Sequence, residues 1–277
     1  IFSSATPYTS HLVAKKVSNK YNIPWIAEFR DLWSDNHNRM SSLFDRWLEK
    51  NTMHNSKAMI TVSEPLTKIL INKYKQPIYT IQNGFDPEDF SFQVSGIISQ
   101  KINIVYTGSI YENKMDPSPL FIALAANKDL QNNVVLNFYG NSSNFISDLS
   151  KKYNLELMVK IHDLVPRSEI LNIQKKADIL LLLTWNSPKE KGILTGKFFE
   201  YIASGNAILS IGAFKDTPSE IVVEDKFGIA TNDPEEITKF ISSYQKGKYN
   251  NNLINRNKYD RQIQINKLAE IIDKHAN

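Results

Sequence analysis

The densest run of chemically useful residues is Gly192-Ile193-Leu194-Thr195-Gly196-Lys197-Phe198-Phe199-Glu200-Tyr201-Ile202-Ala203-Ser204-Gly205, leading into the apolar stretch Ala207 to Ile211. A loop with two glycines that opens a helix offers free N–H groups to an anion, and the helix dipole adds to the attraction. Thr195 and Gly196 stand at that opening. Lys197 and Glu200 are three apart and so share a helical face, while Phe198, Phe199 and Ile202 can turn to a core. A carboxylate there can hold the two vicinal hydroxyls of a ribose while the lysine meets phosphates. The plainer alternative is a solvated Lys197–Glu200 ion pair. A second string, Tyr106-Thr107-Gly108-Ser109, ends an apolar run and precedes Lys114. Gly108 permits close backbone approach to a ligand, and Lys114 either neutralises a diphosphate or is an exposed turn lysine.

Other chemistries find no residues to carry them. The five histidines (His11, His37, His54, His162, His275) show no spacing suited to a metal, and there is no cysteine for a thiolate site or a disulfide. His162-Asp163 follows a strand end and either borders a base pocket or is structural. The chain has no nucleophile elbow, no Walker loop and no dinucleotide fingerprint. With 33 Lys plus Arg against 29 Asp plus Glu, the net charge of +4 is too mild to indicate nucleic acid. It does permit weak attraction to acidic membrane surfaces. No apolar run approaches the roughly 20 residues needed to span a bilayer.

The elements that position these residues alternate as in parallel α/β units. Thr9 or Ser10 can cap a helix carrying Val13, Val17 and Tyr21 on one side, ended by Pro24; Trp25 to Phe29 reads as a strand. Met40, Leu43, Phe44, Trp47 and Leu48 follow the i, i+3, i+4, i+7, i+8 pattern, which predicts a helix with a buried stripe. Ala58 to Val62 and Ile78 to Ile81 are further strands, with Ser63 an N-cap between them and Asn83-Gly84 a tight turn after them. From Lys101 the strand candidates are Ile102 to Thr107, Val134 to Tyr139, Leu157 to Ile161, Ile179 to Leu183, Ala207 to Ile211 and Phe227 to Ala230. Six strands interleaved with helices predict a doubly wound sheet with ligands beyond its carboxyl ends. Tyr259 to Lys274 reads as one terminal helix, with Ile263, Ile265, Leu268, Ile271 and Ile272 as its apolar residues. The opening Ile1-Phe2-Ser3-Ser4 has no initiator Met and reads like the end of a strand, so the expectation is a first domain without its beginning.

The string from Gly192 to Gly205 resembles the donor-binding loop and helix of retaining GT-B glycosyltransferases of family 4 (group 1), especially bacterial surface-polysaccharide enzymes. Ser3-Ser4-Ala5-Thr6-Pro7, Glu28-Phe29-Arg30-Asp31-Leu32-Trp33, Val62-Ser63 and Ile81-Gln82-Asn83-Gly84-Phe85-Asp86 occur in the order in which that family shows similar strings. The resemblance covers about residues 1 to 240. It implies that Glu200 grips the nucleotide ribose. It also implies that Lys114, Lys197 and the N–H groups around Thr195 and Gly196 attend the diphosphate, and that Arg30, Asp31 and Trp33 face acceptor or donor in the interdomain cleft. As an alternative, Arg30 and Asp31 pair locally. Two departures stand out. The family's first glutamate would fall at Gly192, leaving Glu190 in the Lys189-Glu190-Lys191 segment as the nearest substitute. Ser109 and Met115 occupy positions where the family shows Arg and Gly.

The expected architecture is therefore α/β of the GT-B type, with two Rossmann-like domains, the first incomplete. The boundaries are 1–90 for the first domain, 91–100 for a linker and 101–255 for the nucleotide-sugar-binding domain. Residues 256–277 form a terminal helix that crosses back to the first domain. The implied activity is transfer of a sugar with retention from a nucleotide diphosphate sugar to a glycan or lipid-linked acceptor in polysaccharide biosynthesis. It would use no cofactor or metal, in the cytoplasm or peripherally at the inner face of the membrane. Two alternatives stay open: a GT-B-fold nucleotide-sugar epimerase, and a catalytically silent nucleotide-sugar-binding module.

Overall fold

The computed structural model describes all residues except 37–39, 92–100, 142, 187–191, 214, 216, 245–252 and 277. The chain divides into two compact units. The first comprises Ile1–Gly84, Arg261–Asn277 and the described end of the segment 189–194; the second comprises Phe85–Pro188 and Thr195–Asp260. Residues 92–100 of the expected linker lie outside the described residues.

The first unit is built on four parallel strands in the order β1-β2-β3-β4: β1 (Phe2–Ala5), β2 (Ile26–Phe29), β3 (Ala58–Thr61) and β4 (Ile78–Thr80). Helices α1 (Thr9–Tyr21), α2 (Leu43–Met53) and α3 (Glu64–Ile71) form the crossovers. The short apolar strands carry α1 and α2 together on one face, over a core cluster that includes Trp25, Ala27, Phe29 and Met59, and on the other face form a second cluster of Ile26, Ala58, Ile60 and Ile81. Leu268, Ile271 and Ile272 of the last helix close over that second cluster.

Two expectations about these helices are overturned. In α1 the buried residues are His11, Ala14 and Ser18, whereas Val13 and Tyr21 are exposed. The cap position is Tyr8, with no side-chain cap, because the Ser10 hydroxyl donates instead to the Ser4 carbonyl at 2.6 Å. In α2 most of the stripe predicted to be buried faces outward: Met40, Leu43, Phe44 and Trp47 are exposed, Leu48 is half-buried against the core, and Glu49, Thr52 and Met53 are buried. The reason lies in the Glu49 carboxylate. It accepts from the Ser34 N–H (2.9 Å), the Lys73 ammonium (2.8 Å) and the Tyr74 hydroxyl (2.8 Å), and this fully satisfied set fixes which side of the helix turns in.

The second unit contains β5 (Ile102–Thr107), β6 (Val134–Tyr139), β7 (Val159–His162), β8 (Ile179–Leu183), β9 (Ala207–Ile211) and β10 (Gly228–Ala230). They form one parallel sheet in the order β10-β9-β8-β5-β6-β7. The helices are α4 (Ser118–Ala125), α5 (Lys128–Asn133), α6 (Ser143–Lys152), α7 (Arg167–Lys176), α8 (Gly196–Ser204), α9 (Thr217–Glu224), α10 (Pro234–Ser242) and α11 (Leu253–Asn257). Strands β8 and β9 are buried along their whole length, as continuous apolar runs covered on both faces must be. The winding reverses between β5 and β8. In doubly wound sheets such a reversal is where ligands bind, beyond the carboxyl ends of the strands.

The predicted terminal helix is present and starts slightly later than expected. Tyr259 is buried, its hydroxyl bonded to Asp225 at 2.6 Å, and α12 (Arg261–His275) starts only beyond it. On α12, Ile263 and Ile265 are exposed.

Removing one partner from a buried ionic cluster leaves the others unpaired, at a cost of about 3 kcal/mol. Glu49→Ala is expected to lower the stability of the first unit by about that amount, read as a shift of its urea midpoint.

Candidate functional site

The site is built where β5, β8 and α8 meet. Helix α8 opens at Thr195, whose side chain makes no cap, and Thr195 and Gly196 are exposed, so the first N–H groups of the helix point free. Behind them Phe198, Phe199 and Ile202 are buried, as their spacing predicts. Tyr201 anchors the helix to the sheet: the Thr107 N–H donates to its hydroxyl at 3.0 Å, and Thr107 Oγ1 lies 3.1 Å from it. Burial raises the Tyr201 phenol to about 12, so it stays protonated.

Lys197 lies one turn before Tyr201 on the same face. Its Nζ donates to the Tyr106 hydroxyl at 2.9 Å and stands 4.2 Å from the centre of that ring. Tyr106 in turn donates to the Ser109 carbonyl at 2.8 Å. Gly108, with φ +109, leaves room for the lysine: a Cβ built there would stand 3.7 Å from Nζ. Burial without an anionic partner lowers the Lys197 ammonium to about 8. The residue as a whole keeps some exposure, while its ammonium is packed among protein atoms, against the Tyr106 hydroxyl and ring. Gly108, Ser109, Thr195, Gly196 and Lys197 are thus brought together. Lys114 belongs to the next loop and is no plain turn lysine: its Nζ lies 3.7 Å over the Trp185 ring, and its carbonyl accepts from the Asn186 N–H, tying the loops after β5 and β8.

Glu200 does not pair with Lys197. Gln174 Nε2 donates to Glu200 Oε2 at 3.1 Å and to Thr107 Oγ1 at the same distance, while Arg167 approaches Glu200 Oε1 at 3.5 Å and Asp89 at 2.7 Å. The simple ion pair weighed above is therefore replaced by two separate stations on one helix, an ammonium near the helix start and a half-buried carboxylate one turn on. Gln174 and Arg167 were missed. Both sit on a polar helix that reads as surface, and their only signal is that this helix follows the carboxyl end of β7. His162, singled out at the end of β7, stacks on Tyr139 at 4.2 Å and 6° and bonds Asn137 at 2.9 Å. Burial, with Lys160 adding, lowers its pKa, so this ring pair is an uncharged aromatic surface at the end of β6 and β7.

The remaining expected residues belong to the first unit or lie outside the described residues. Glu190 lies outside the described residues. Gly192 has φ +82, and a Cβ there would fall 2.6 Å from Ser63 Oγ and 3.2 Å from Pro65 Cβ, so no carboxylate fits at the position of the family's first glutamate. Arg30 and Asp31 are exposed; Arg30 reaches Asn83 at 3.5 Å, and no Arg30–Asp31 pair forms among the described residues. Trp33 is a correction: its indole is buried and stacked on Tyr8 at 5.0 Å and 8°, which makes it a core group and removes it from ligand contact.

The comparisons with known proteins agree with this architecture. Residues 1–89 match the model of the family described as Glycosyltransferase Family 4. No curated protein matches the chain. Among solved structures, HepE of Anabaena in complex with UDP is similar at TM-score 0.77 and 17% identity, covering 99% of this chain and 78% of its own. WaaG, a glycosyltransferase involved in lipopolysaccharide biosynthesis, gives TM-score 0.61 at 13% identity, with 96% and 82% covered. A glycosyltransferase from Rickettsia africae gives 0.65 at 16%, with 95% and 80% covered. The fold is GT-B, and the chain is like the family 4 glycosyltransferases that its motifs resemble.

Because Lys197 loses its proton at about 8 when folded and at 10.5 in its ordinary state, the unfolded chain binds more protons between those values, and stability rises with pH across them. The urea midpoint of the wild type is expected to rise between pH 8 and about 9.5 relative to Lys197→Met, which lacks this titration.

Proposed function

We propose that the protein transfers a sugar from a nucleotide diphosphate sugar to a glycan or lipid-linked acceptor with retention, in the building of a polysaccharide. The observation that carries this reading is the pairing of stations on α8. A partly desolvated ammonium, Lys197, lies beside uncapped N–H groups, and Glu200 stands one turn further along, steadied from behind by the buried amide of Gln174. The first station suits a diphosphate and the second the hydroxyls of a ribose. HepE, whose structures hold UDP and UDP-glucose, supports a nucleotide sugar as the donor class.

In the reaction the acceptor hydroxyl forms a bond to the anomeric carbon on the face from which the diphosphate departs. The carbon–oxygen bond to phosphate breaks, and the acceptor proton leaves with the diphosphate. Negative charge grows on the leaving group, where Lys197, Lys114 and the helix N–H groups stabilise it, so the step needs no metal. Diphosphate binding raises the Lys197 pKa back towards its ordinary value, since an anion favours the charged form. Glu200 holds the ribose and fixes the donor in register, and Arg167 shares or yields its contact with that carboxylate.

A silent nucleotide-sugar-binding module is the second reading, favoured by Gly192, whose backbone leaves no room for a carboxylate. Binding without turnover would select it.

Calorimetry with UDP and its 2′,3′-dideoxy counterpart tests the ribose assignment. The wild type is expected to bind the dideoxy ligand roughly tenfold more weakly, and Glu200→Ala to bind both alike at that weaker level, as loss of a charged hydrogen-bond acceptor implies. A Glu200→Ala protein that keeps wild-type affinity and the wild-type preference for hydroxyls would overturn the assignment.

A further inference from the structure

In the turn that follows β5, Tyr111, Glu112 and Asn113 are exposed, whereas Lys114 is half-buried and Met115 is buried. The backbone of Lys114 is fixed from both sides. Its N–H donates to the Tyr111 carbonyl at 2.8 Å, and its carbonyl accepts at 2.8 Å from the N–H of Asn186, in the loop that follows β8. The side chain is placed as well: the ammonium stands 3.7 Å from the centre of the Trp185 ring, well within the range at which an indole face attracts a cation. Trp185 is itself steadied. It is half-buried against the core cluster of the second unit, and its ring lies 6.1 Å from that of Tyr111 at 57°.

Lys197 is supported in the same manner, with its Nζ 4.2 Å from the centre of the Tyr106 ring. The Tyr106 hydroxyl that accepts from Lys197 lies 4.0 Å from the sulfur of Met115, the neighbour of Lys114. Both ammonium groups read as diphosphate ligands therefore rest on aromatic faces within one contiguous assembly of the second unit. A ring differs from a carboxylate as a support. Its quadrupole attracts a cation without cancelling the charge, so the ammonium still draws a phosphate while its flexible four-carbon stem is restrained. Ordering a binding group in advance lowers the entropy cost when the ligand arrives. The indole is the strongest of the aromatic rings in this respect, and the face that Lys114 covers is not available for stacking on a base or a sugar.

We propose that Trp185 is a positioning residue, whose indole holds the Lys114 ammonium in place for the diphosphate of the nucleotide and acts on the ligand through that ammonium alone. The proposal rests on the reading of Lys114 as a diphosphate group, and deepens it: the loop after β8 contributes to the donor site by fixing a lysine that belongs to the loop after β5.

Calorimetry with UDP on the full chain tests it through a double-variant cycle. Lys114→Met is expected to weaken UDP binding roughly tenfold, as loss of a charged contact to phosphate implies. Trp185→Leu is expected to weaken it about fivefold, and Trp185→Phe, which keeps an aromatic face, to stay within about twofold of the wild type. In Lys114→Met/Trp185→Leu the leucine is expected to add nothing, because a residue that acts only through the ammonium has nothing left to act through. A merely structural tryptophan would give the same loss in either background. A second measurement leaves Trp185 in place: saturating UDP is expected to change the tryptophan emission of the wild type and to leave that of Lys114→Met unaltered. Wild-type affinity in Lys114→Met overturns the diphosphate reading of Lys114, and the proposal with it. With Lys114→Met weakened, any of four results overturns the positioning role alone: wild-type affinity in Trp185→Leu, equal losses in the leucine and phenylalanine variants, losses that add in the double variant, or an emission change that persists in Lys114→Met.

Discussion

The site depends on one buried contact, the Tyr201 hydroxyl against Thr107 at the end of β5. A parallel sheet that reverses its winding between β5 and β8 leaves a crevice, and a crevice binds nothing until an element is fixed at its mouth. The Thr107 N–H lies beyond the pairing of β5 with β8, which ends at Val105, and Tyr201 satisfies it from α8. That bond sets the rotation of the helix. It places Lys197 over Tyr106, Glu200 beside Gln174 and the free N–H groups at the open end. A helix rotated by one residue would bury the lysine among the phenylalanines and turn the carboxylate to water.

Two charged clusters show how the completeness of hydrogen bonding separates a structural group from a binding group. Glu49, fully buried, accepts three bonds from Ser34, Lys73 and Tyr74 and has no capacity left for a ligand. Lys197 has one hydroxyl and the face of a ring, with no anion, and its ammonium pays for that in proton affinity. The first arrangement is stable as it stands. The second is improved by any phosphate that arrives, and a group tuned in this way is poised for a ligand. Glu200 lies between these extremes, held by one amide and approached by one guanidinium, ordered yet still able to accept hydroxyls.

Helices α1 and α2 reverse the usual logic of amphipathicity. Their apolar stripes face out because the inward faces are taken by His11 with Ser3 and Trp25, and by Glu49 with its three donors. A periodic apolar stripe says that a helix has a surface that avoids water. It does not say which partner provides the cover, and in this unit the polar networks claim the core side first.

The sequence alone determined the strands from β5 to β9 to within a residue or two, because continuous apolar runs bounded by polar loops have few other folded outcomes. It also determined the helix at Gly196 to Ser204, with Phe198, Phe199 and Ile202 inward, since only that spacing buries three large residues on one side. Local chemistry was equally legible: the glycines, the lysine and the carboxylate three residues apart. Everything that relies on a partner distant in the chain was decided by the tertiary structure. Lys197 turns to Tyr106 and Glu200 to Gln174 and Arg167, where spacing alone suggested a mutual pair. Trp33 joins the core through Tyr8. Gly192 is required by Ser63, a residue more than a hundred positions away. The terminal helix starts beyond Tyr259, whose hydroxyl donates to Asp225. Periodicity records whether a side chain avoids water, whereas the identity of its neighbour depends on how the strands are ordered, and that order is not written in any local window.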